Sequence, residues 1–596
     1  MILEEPGVAA APAPARVPEY GSDLVVDLLQ RLGIEYAAFN PGASFRGLHD
    51  SLVNYGGDRH PRTILCTHEE IAVALAHGYA KASGRPMVAA LHDVVGLQHA
   101  CMAIFNAWCD RVPVLLLGGT GPMDSTRRRP WIEWIHTALV QGNHVRDFVK
   151  FDDQPANAAS VVESILRAYR LMMAEPSGPV YVCLDAALQE DPLPKGVSVP
   201  ADLQRWIRQS PVQPDPDGLK AAARLLSESR RPLILADTVG RSRQGADALR
   251  ALAERLHAPV VDLGSRFNFP SAHPLEATER REELLRAADV VFAVDVVDLW
   301  GALQASAGQH RPAGFAPSPM AKMVSLSLSD LLVHSWTSDY QRLQPVDVSL
   351  VGDSRLALPA LLDLLEPRGT ADQERVERAA AIAAEGSQLR TEWANRARSL
   401  GTNTDGAVPL GYLGVALGDA VDDHDWVLSN SELRGWARRL WRIEHSYQYT
   451  GTSGGAGVGY GIGASLGVGL AHKGSGRIAV NLQPDGDLLY CSSALYTAAH
   501  ERLPLLTVML NNHSYYNSEE HGLRMAEHRG RPAERAGIGT RPEAPAVDFA
   551  TLARGFGIAS AGPITSPTDV PAALNTAIQA VASGEPYLLD IVTEPR

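Results

Sequence analysis

The chain has 596 residues, 45% hydrophobic and 20% charged, and at about one domain per 100–200 residues it should hold roughly three to five domains. A net charge of −14 argues against a nucleic-acid or anionic-membrane partner, since either calls for a basic surface. The five cysteines (Cys66, Cys101, Cys109, Cys183, Cys491) lack the CxxC spacing of a disulfide framework or zinc site, and no apolar run approaches the roughly 18 residues of a membrane span, so a cytoplasmic α/β enzyme is expected.

Residues 1–18 carry acids where a secretion signal carries bases, and read as a disordered tail. From 19 to 195 helix and strand alternate: a helix over Asp23 to Arg31, a strand ending at Asn40-Pro41-Gly42, a strand Thr63 to Cys66, a helix Glu69 to Ala82, a strand Met87 to Leu91, a helix around His99 to Trp108 and a strand Pro113 to Leu117. Short apolar runs between longer amphipathic segments mean βαβ units, with functional residues at the carboxyl ends of parallel strands. The Pro- and Asp-rich stretch Gln209 to Asp217 marks a linker. A second α/β unit, 212–366, has strands at Pro232 to Leu235, Pro259 to Leu263 and Val290 to Val294, and an Ala-, Glu- and Arg-rich helix from about Thr370 to Arg398 follows. A third unit, 405–596, has strands Trp426 to Leu428, Arg477 to Leu482, Leu505 to Leu510 and Tyr587 to Val592. The fold class predicted is three tandem, doubly wound parallel-sheet α/β domains.

Chemistry concentrates in the third unit. In NLQPDGDLLY and LLTVMLNNHS, Asp485 and Asn512 fall at the ends of two parallel strands separated by one helix, so their side chains can converge. A carboxylate, a carboxamide oxygen and a main-chain carbonyl form an oxygen-only site suited to Mg²⁺. Upstream, GTSGGAGVGYGIGASLG holds more glycines than a helix tolerates at roughly 1 kcal/mol each, so close approach to a ligand or another helix is expected.

This pattern resembles the thiamine-diphosphate-dependent enzymes of the acetolactate synthase, pyruvate decarboxylase and benzoylformate decarboxylase group, whose metal motif is GDG followed by NN. The resemblance implies that Asp485, Asn512 and the main-chain carbonyl of Ser514 hold the metal, with Asp487 where the main chain meets the diphosphate. Gly457, Gly486, Tyr515 and the segment Ser431, Glu432, Leu433 join the implied cofactor-binding set. Val458 takes the place of a bulkier side chain that props the cofactor, and Pro484 replaces the first glycine of GDG. The phrase THEEIAVALAHGYAKASG places Glu69 as the glutamate that hydrogen-bonds N1′ of the aminopyrimidine, while AALHDVVGLQHACMAIFNAW is similar to benzoylformate decarboxylase and makes His92 an acid/base.

Ala43, His136, Gln141, Tyr516, Ser518 and Glu519 are expected on the substrate side. Paired histidines of the pyruvate decarboxylase type are not found, and the middle unit reads VFAVDVVDLWGALQ where a flavin-associated phrase would stand, so FAD is not expected. The resemblance implies cleavage or formation of a C–C bond beside a carbonyl, by 2-oxo acid decarboxylation or carboligation, in a homodimer or homotetramer with the site at the subunit interface. A 2-hydroxyacyl-CoA lyase, with Arg127-Arg128-Arg129 meeting coenzyme A phosphates, is the alternative within the enzyme class. A nicotinamide-dependent oxidoreductase, suggested by Gly459, Gly461 and Ala464, and a non-catalytic homologue are the alternatives outside it.

Overall fold

Three parallel sheets follow one another along the chain. The computed structural model describes residues 17–594 apart from 131–134, 307–311, 332–339, 366–369, 403–405 and 432. In the first sheet, β1 (Tyr36–Phe39), β2 (Arg62–Leu65), β3 (Met87–Leu91), β4 (Val114–Thr120), β5 (Asp152–Asp153) and β6 (Val180–Asp185) lie in the order β2-β1-β3-β4-β6-β5. β3 and β4 are buried at every residue, as expected of strands covered by helices on both faces. The middle sheet orders β7 (Pro232–Ala236), β8 (Val260–Asp262), β9 (Val290–Val294), β10 (Lys322–Ser327) and β11 (Val348–Val351) as β11-β10-β9-β7-β8. The third orders β12 (Trp426–Asn430), β13 (Ile478–Pro484), β14 (Leu505–Asn511), β15 (Ala559–Ile564) and β16 (Tyr587–Val592) as β12-β13-β14-β16-β15.

Five helices position the site: α1 (Glu69–Ser83), α2 (Asp93–Cys109), α3 (Thr370–Leu400), α4 (Tyr460–His472) and α5 (Asp485–Tyr490). α3 leads from the middle unit to the third. α1 and α4 cross at backbone contact: a Cβ on Gly78 would lie 1.9 Å from the Ala464 carbonyl oxygen, and one on Gly467 would lie 2.0 Å from that of Leu75. One apolar cluster therefore runs unbroken from the first unit into the third, through Ile71, Leu75 and Tyr79 to Ile462 and Leu466. Arg62 and Glu501 reinforce the junction at 2.6 Å. Among the described residues the five cysteines are unbridged, and no helix is long and apolar enough to cross a membrane.

Candidate active site

β13 ends at Pro484, whose φ of −62° and missing N–H suit the residue preceding a helix, and Asp485 becomes the first residue of α5. Asp485 Oδ1 accepts from the Gly486 amide at 2.8 Å, while Oδ2 is buried and has no hydrogen-bond partner. Burial raises the Asp485 pKa, offset in part by the amides of Gly486, Ser514 and His513. β14 delivers Asn512, whose Oδ1 accepts from the Ser514 amide at 3.0 Å across His513, a residue with left-handed backbone (φ 54°). An unpaired carboxylate oxygen facing a carboxamide and a sharply turned main chain is the donor set a hard cation completes.

Asp485, Asn512 and Ser514 line a cleft of about 580 Å³. Ser431, Leu433, Gly457 and Val458 lie on its walls with Gly486 and Asp487, and Tyr515, Tyr516 and Ser518 lie at its β14 side. Glu432 lies outside the described residues. Ser431, Leu433 and Arg434 all have left-handed backbone (φ 60°, 51° and 57°), a costly turn pinned by the buried Leu433 side chain. Tyr515 lies over Gly486, donating its hydroxyl to the Gly486 carbonyl at 3.2 Å, and a Cβ on Gly486 would meet its ring at 2.4 Å. The Asp487 carboxylate instead accepts from the amides of Gly459 (2.6 Å) and Gly461 (3.2 Å) and from Gln483 Nε2 (2.6 Å). It thereby ties the glycine-rich turn to α5. Those two amides are thus engaged, and residues 451–458 before them form no strand, so the dinucleotide-binding reading of Gly459, Gly461 and Ala464 lacks its strand–turn–helix context.

The glycine run is explained by another helix. A Cβ on Gly457 would lie 2.4 Å from Met102 Cε of α2, and one on Gly455 would lie 2.5 Å from Asn106 Oδ1. Asp110 Oδ1 accepts from the Gly454 amide at 2.7 Å, and Lys81 Nζ donates to the Thr452 carbonyl at 2.9 Å and to Asp110 Oδ2 at 2.8 Å. Helices of the first unit therefore seat the loop that walls the cleft.

In the first unit, Glu69 opens α1 behind His68, whose Nδ1 accepts from the Glu70 amide at 3.2 Å. The Glu69 side chain is buried. Its Oε1 accepts from Asn40 Nδ2 at 3.1 Å and its Oε2 faces His99 Nδ1 at 3.2 Å. Gly96 makes room, since a Cβ there would lie 2.8 Å from Glu69 Oε1. His92 caps α2 after β3, with Nδ1 at 3.0 Å from Ser44 Oγ and the His136 ring 5.5 Å away. Burial, and then the neighbouring His136, lower the His92 pKa. Ala43 lies beside Ser44 in a short 3₁₀ turn.

Two expected substrate-side residues point elsewhere. Gln141 is fully buried and donates to the Gly119 carbonyl (2.8 Å) and the Tyr181 hydroxyl (3.1 Å), anchoring its turn to the sheet. Glu519 is buried beneath the cleft, accepting from Ser514 Oγ at 2.6 Å and Arg541 Nε at 3.0 Å, and Arg541 holds its carboxyl below the usual range. The arginine run is also committed, Arg127 to Asp191 at 2.6 Å and Arg128 to the Pro122 carbonyl at 2.9 Å. Asn40, Ser44, Asp93 and His99 escaped the sequence reading. The one signal for His99 is its place two helical turns beyond His92, on the same face of α2.

Among the described residues, Glu69, His92 and His136 do not line the cleft that holds Asp485. The described chain thus carries two separate groups of candidate site residues, one around Asp485 and one around Glu69 and His92.

Three family models match in order: "Thiamine pyrophosphate enzyme, N-terminal TPP binding domain" over residues 20–142, "central domain" over 219–361 and "C-terminal TPP binding domain" over 430–591. The chain is 26% identical to benzoylformate decarboxylase of Pseudomonas aeruginosa, over 95% of this chain and 98% of that protein. It is 24% identical to acetolactate synthase 2, chloroplastic, of Brassica napus, over 99% and 88%. The crystal structure of benzoylformate decarboxylase from Polynucleobacter necessarius shares the fold, with a TM-score of 0.75 at 20% identity over 97% and 99% of the two chains. With a polar cleft in its third unit, a buried glutamate in its first and three domain models matched in chain order, the protein belongs to the thiamine pyrophosphate enzyme family.

Proposed function

We propose that the protein is a thiamine-diphosphate- and Mg²⁺-dependent enzyme that decarboxylates a 2-oxo acid, releasing an aldehyde or joining the fragment to a second carbonyl. The observation that carries this reading is the unpaired Oδ2 of Asp485 in a cleft shared with Asn512 and Ser514. Asp485, the Asn512 carboxamide and the Ser514 main-chain carbonyl would hold Mg²⁺, which keeps its remaining positions for water and phosphate oxygens. Gly457, Gly486, Asp487 and Tyr515, with Ser431 and Leu433, would bound the diphosphate side, and the Val458 side chain, 37% exposed, would prop the bent cofactor.

Bound thiamine diphosphate supplies an electron sink for the carbanion left by C–C cleavage. Glu69, fixed by Asn40 and His99, would hold the proton shared with N1′ of the aminopyrimidine. His92, whose pKa burial and His136 lower, would move a proton at the substrate carbon, with Ser44 on its Nδ1 setting the ring. Ala43, His136, Tyr516 and Ser518 would shape the substrate space. The two half-sites would meet across a homodimer or homotetramer interface.

The test is to supply the purified protein with thiamine diphosphate and Mg²⁺ and to present panels of 2-oxo acids and acyl-CoA compounds, with product mass analysis. Stoichiometric cofactor binding and CO₂ release from a 2-oxo acid are expected. Absence of cofactor binding sinks the reading, and turnover of acyl-CoA compounds alone replaces the substrate class.

A further inference from the structure

Where β3 gives way to α2, three polar side chains stand together, and two of them, Asp93 and His136, have unmet bonding needs. One imidazole nitrogen each from His92 and His136 and one carboxylate oxygen of Asp93 lie within 4.8 Å of one another. The Asp93 side chain is 1% exposed, and its Oδ1 accepts no hydrogen bond. His136 Nδ1 is buried and likewise unpartnered. Neither group can easily turn away. Asp93 is held in left-handed backbone (φ 45°) at the start of α2, and the His136 carbonyl accepts from the Val94 amide at 3.1 Å, pinning that segment to the same helix. Among the described residues no lysine or arginine pairs with Asp93, and the His92 imidazole lies 3.6 Å from its carboxyl. A buried carboxylate oxygen and a buried imidazole nitrogen left without partners are each costly, and both belong to side chains that bring a ligand atom to this cluster.

We propose that His92, Asp93 and His136 form a binding site for a divalent transition-metal ion of the zinc class, separate from the Mg²⁺ set at Asp485. Two imidazoles and a carboxylate make a nitrogen-rich, borderline donor set that favours Zn²⁺ or Co²⁺ and leaves a fourth position open, whereas Mg²⁺ requires oxygen ligands throughout. The other imidazole–carboxylate cluster nearby, His68, Glu69 and His99, lacks the same deficit: Glu69 is engaged by Asn40 and His99, and His68 Nδ1 by the Glu70 amide. Metal at His92 withdraws that imidazole from proton transfer, so the site is inhibitory.

The test uses the full-length protein, stripped of metal and without thiamine diphosphate, titrated with Co²⁺ and followed by visible d–d absorption. One equivalent should bind, be displaced by Zn²⁺ and resist Mg²⁺. Asp93→Asn and His136→Ala should each weaken Co²⁺ binding by more than about tenfold, while His99→Ala should leave it unchanged; circular dichroism and melting temperature show that each variant is folded. Absence of a Co²⁺ spectrum, or unchanged affinity in both Asp93→Asn and His136→Ala, overturns the proposal. Loss in His99→Ala with retention in Asp93→Asn moves the site to Glu69 and overturns it equally. Because the readout needs no cofactor, these outcomes are distinguishable from failure of the proposed reaction.

Discussion

Asp93 shows at one residue how position sets chemistry. Burial pushes its carboxyl up to about 7 from the ordinary carboxylate range near 4, a shift that a hydrogen bond from Ser44 offsets only in part. In the unfolded chain the carboxyl loses its proton near pH 4, whereas the folded protein keeps it until about pH 7. Between those values the folded state binds more protons, so its stability falls as pH rises, by roughly 4 kcal/mol at most. Asp93→Asn keeps the shape and removes the charge. In metal-free buffer its melting temperature should exceed that of the wild type at pH 8, with the gap closing toward pH 4; equal values at pH 8 would return Asp93 to an ordinary charged state. Glu69 differs in its contacts, with both side-chain oxygens engaged, by Asn40 and His99. Glu69→Gln should therefore melt near the wild type and bind thiamine diphosphate, yet slow exchange of the cofactor's C2 proton by about 10²- to 10⁴-fold, the usual worth of a positioned acid or base. Exchange at the wild-type rate would remove Glu69 from its proposed role.

At the scale of elements, the cleft depends on α1 and α2 as much as on its own sheet. Lys81 and Asp110, both nearly inaccessible, clamp the carbonyl of Thr452 and the amide of Gly454, and His77 Nε2 lies 3.0 Å from Asp110. Burial alone would raise the Asp110 pKa, but Lys81 and His77 hold it well below the usual carboxylate range. The Asp110 contribution to the clamp is thus present above about pH 4 and lost as pH falls through the depressed pKa, while burial lowers the Lys81 pKa to about 8 and ends the ion pair above that pH. Asp110→Ala leaves a buried ammonium unpaired and should cost about 3–5 kcal/mol. It should also speed amide hydrogen exchange across 451–459 and weaken thiamine diphosphate binding; unchanged exchange there would mean that the loop holds its shape unaided. The same elements show what a sequence makes legible. Strand and helix periodicity located β3, β9 and β16 to the residue, and the strand-end spacing of Asp485 and Asn512 marked the cleft, because both signals are local. The glycine run announced a close approach but not its partner, since Met102 and Asn106 meet it from far along the chain. β10, β11 and β15 went unread, and Gln141 and Glu519 were assigned to the substrate side, because the inward or outward aim of a turn residue depends on packing that no short window contains.

At the scale of the whole molecule, the packing of α1 on α4 fixes the first and third units of one chain so that Glu69 is not among the residues lining the Asp485 cleft. If the two half-sites complete each other across a two-fold axis, each catalytic centre draws Glu69 from one copy and Asp485 from its partner. This arrangement makes a demand that a self-contained site would not. Glu69→Gln and Asp485→Ala each inactivate both centres of a homodimer. In a mixed dimer one centre carries both lesions, whereas the other receives Glu69 from the Asp485→Ala chain and Asp485 from the Glu69→Gln chain. Random pairing after co-expression in equal amounts should then restore about a quarter of wild-type activity, from two inactive variants. Asp485→Ala suits the experiment, since its Oδ2 has no partner to lose and its Oδ1 bonds the adjacent Gly486 amide within the same turn, so the variant should remain folded. Recovery near a quarter, with both variants melting like the wild type, is the expected result. Activity that stays at the level of the separate variants, with mixed dimers verified by tagged purification, would place the complete site within a single chain.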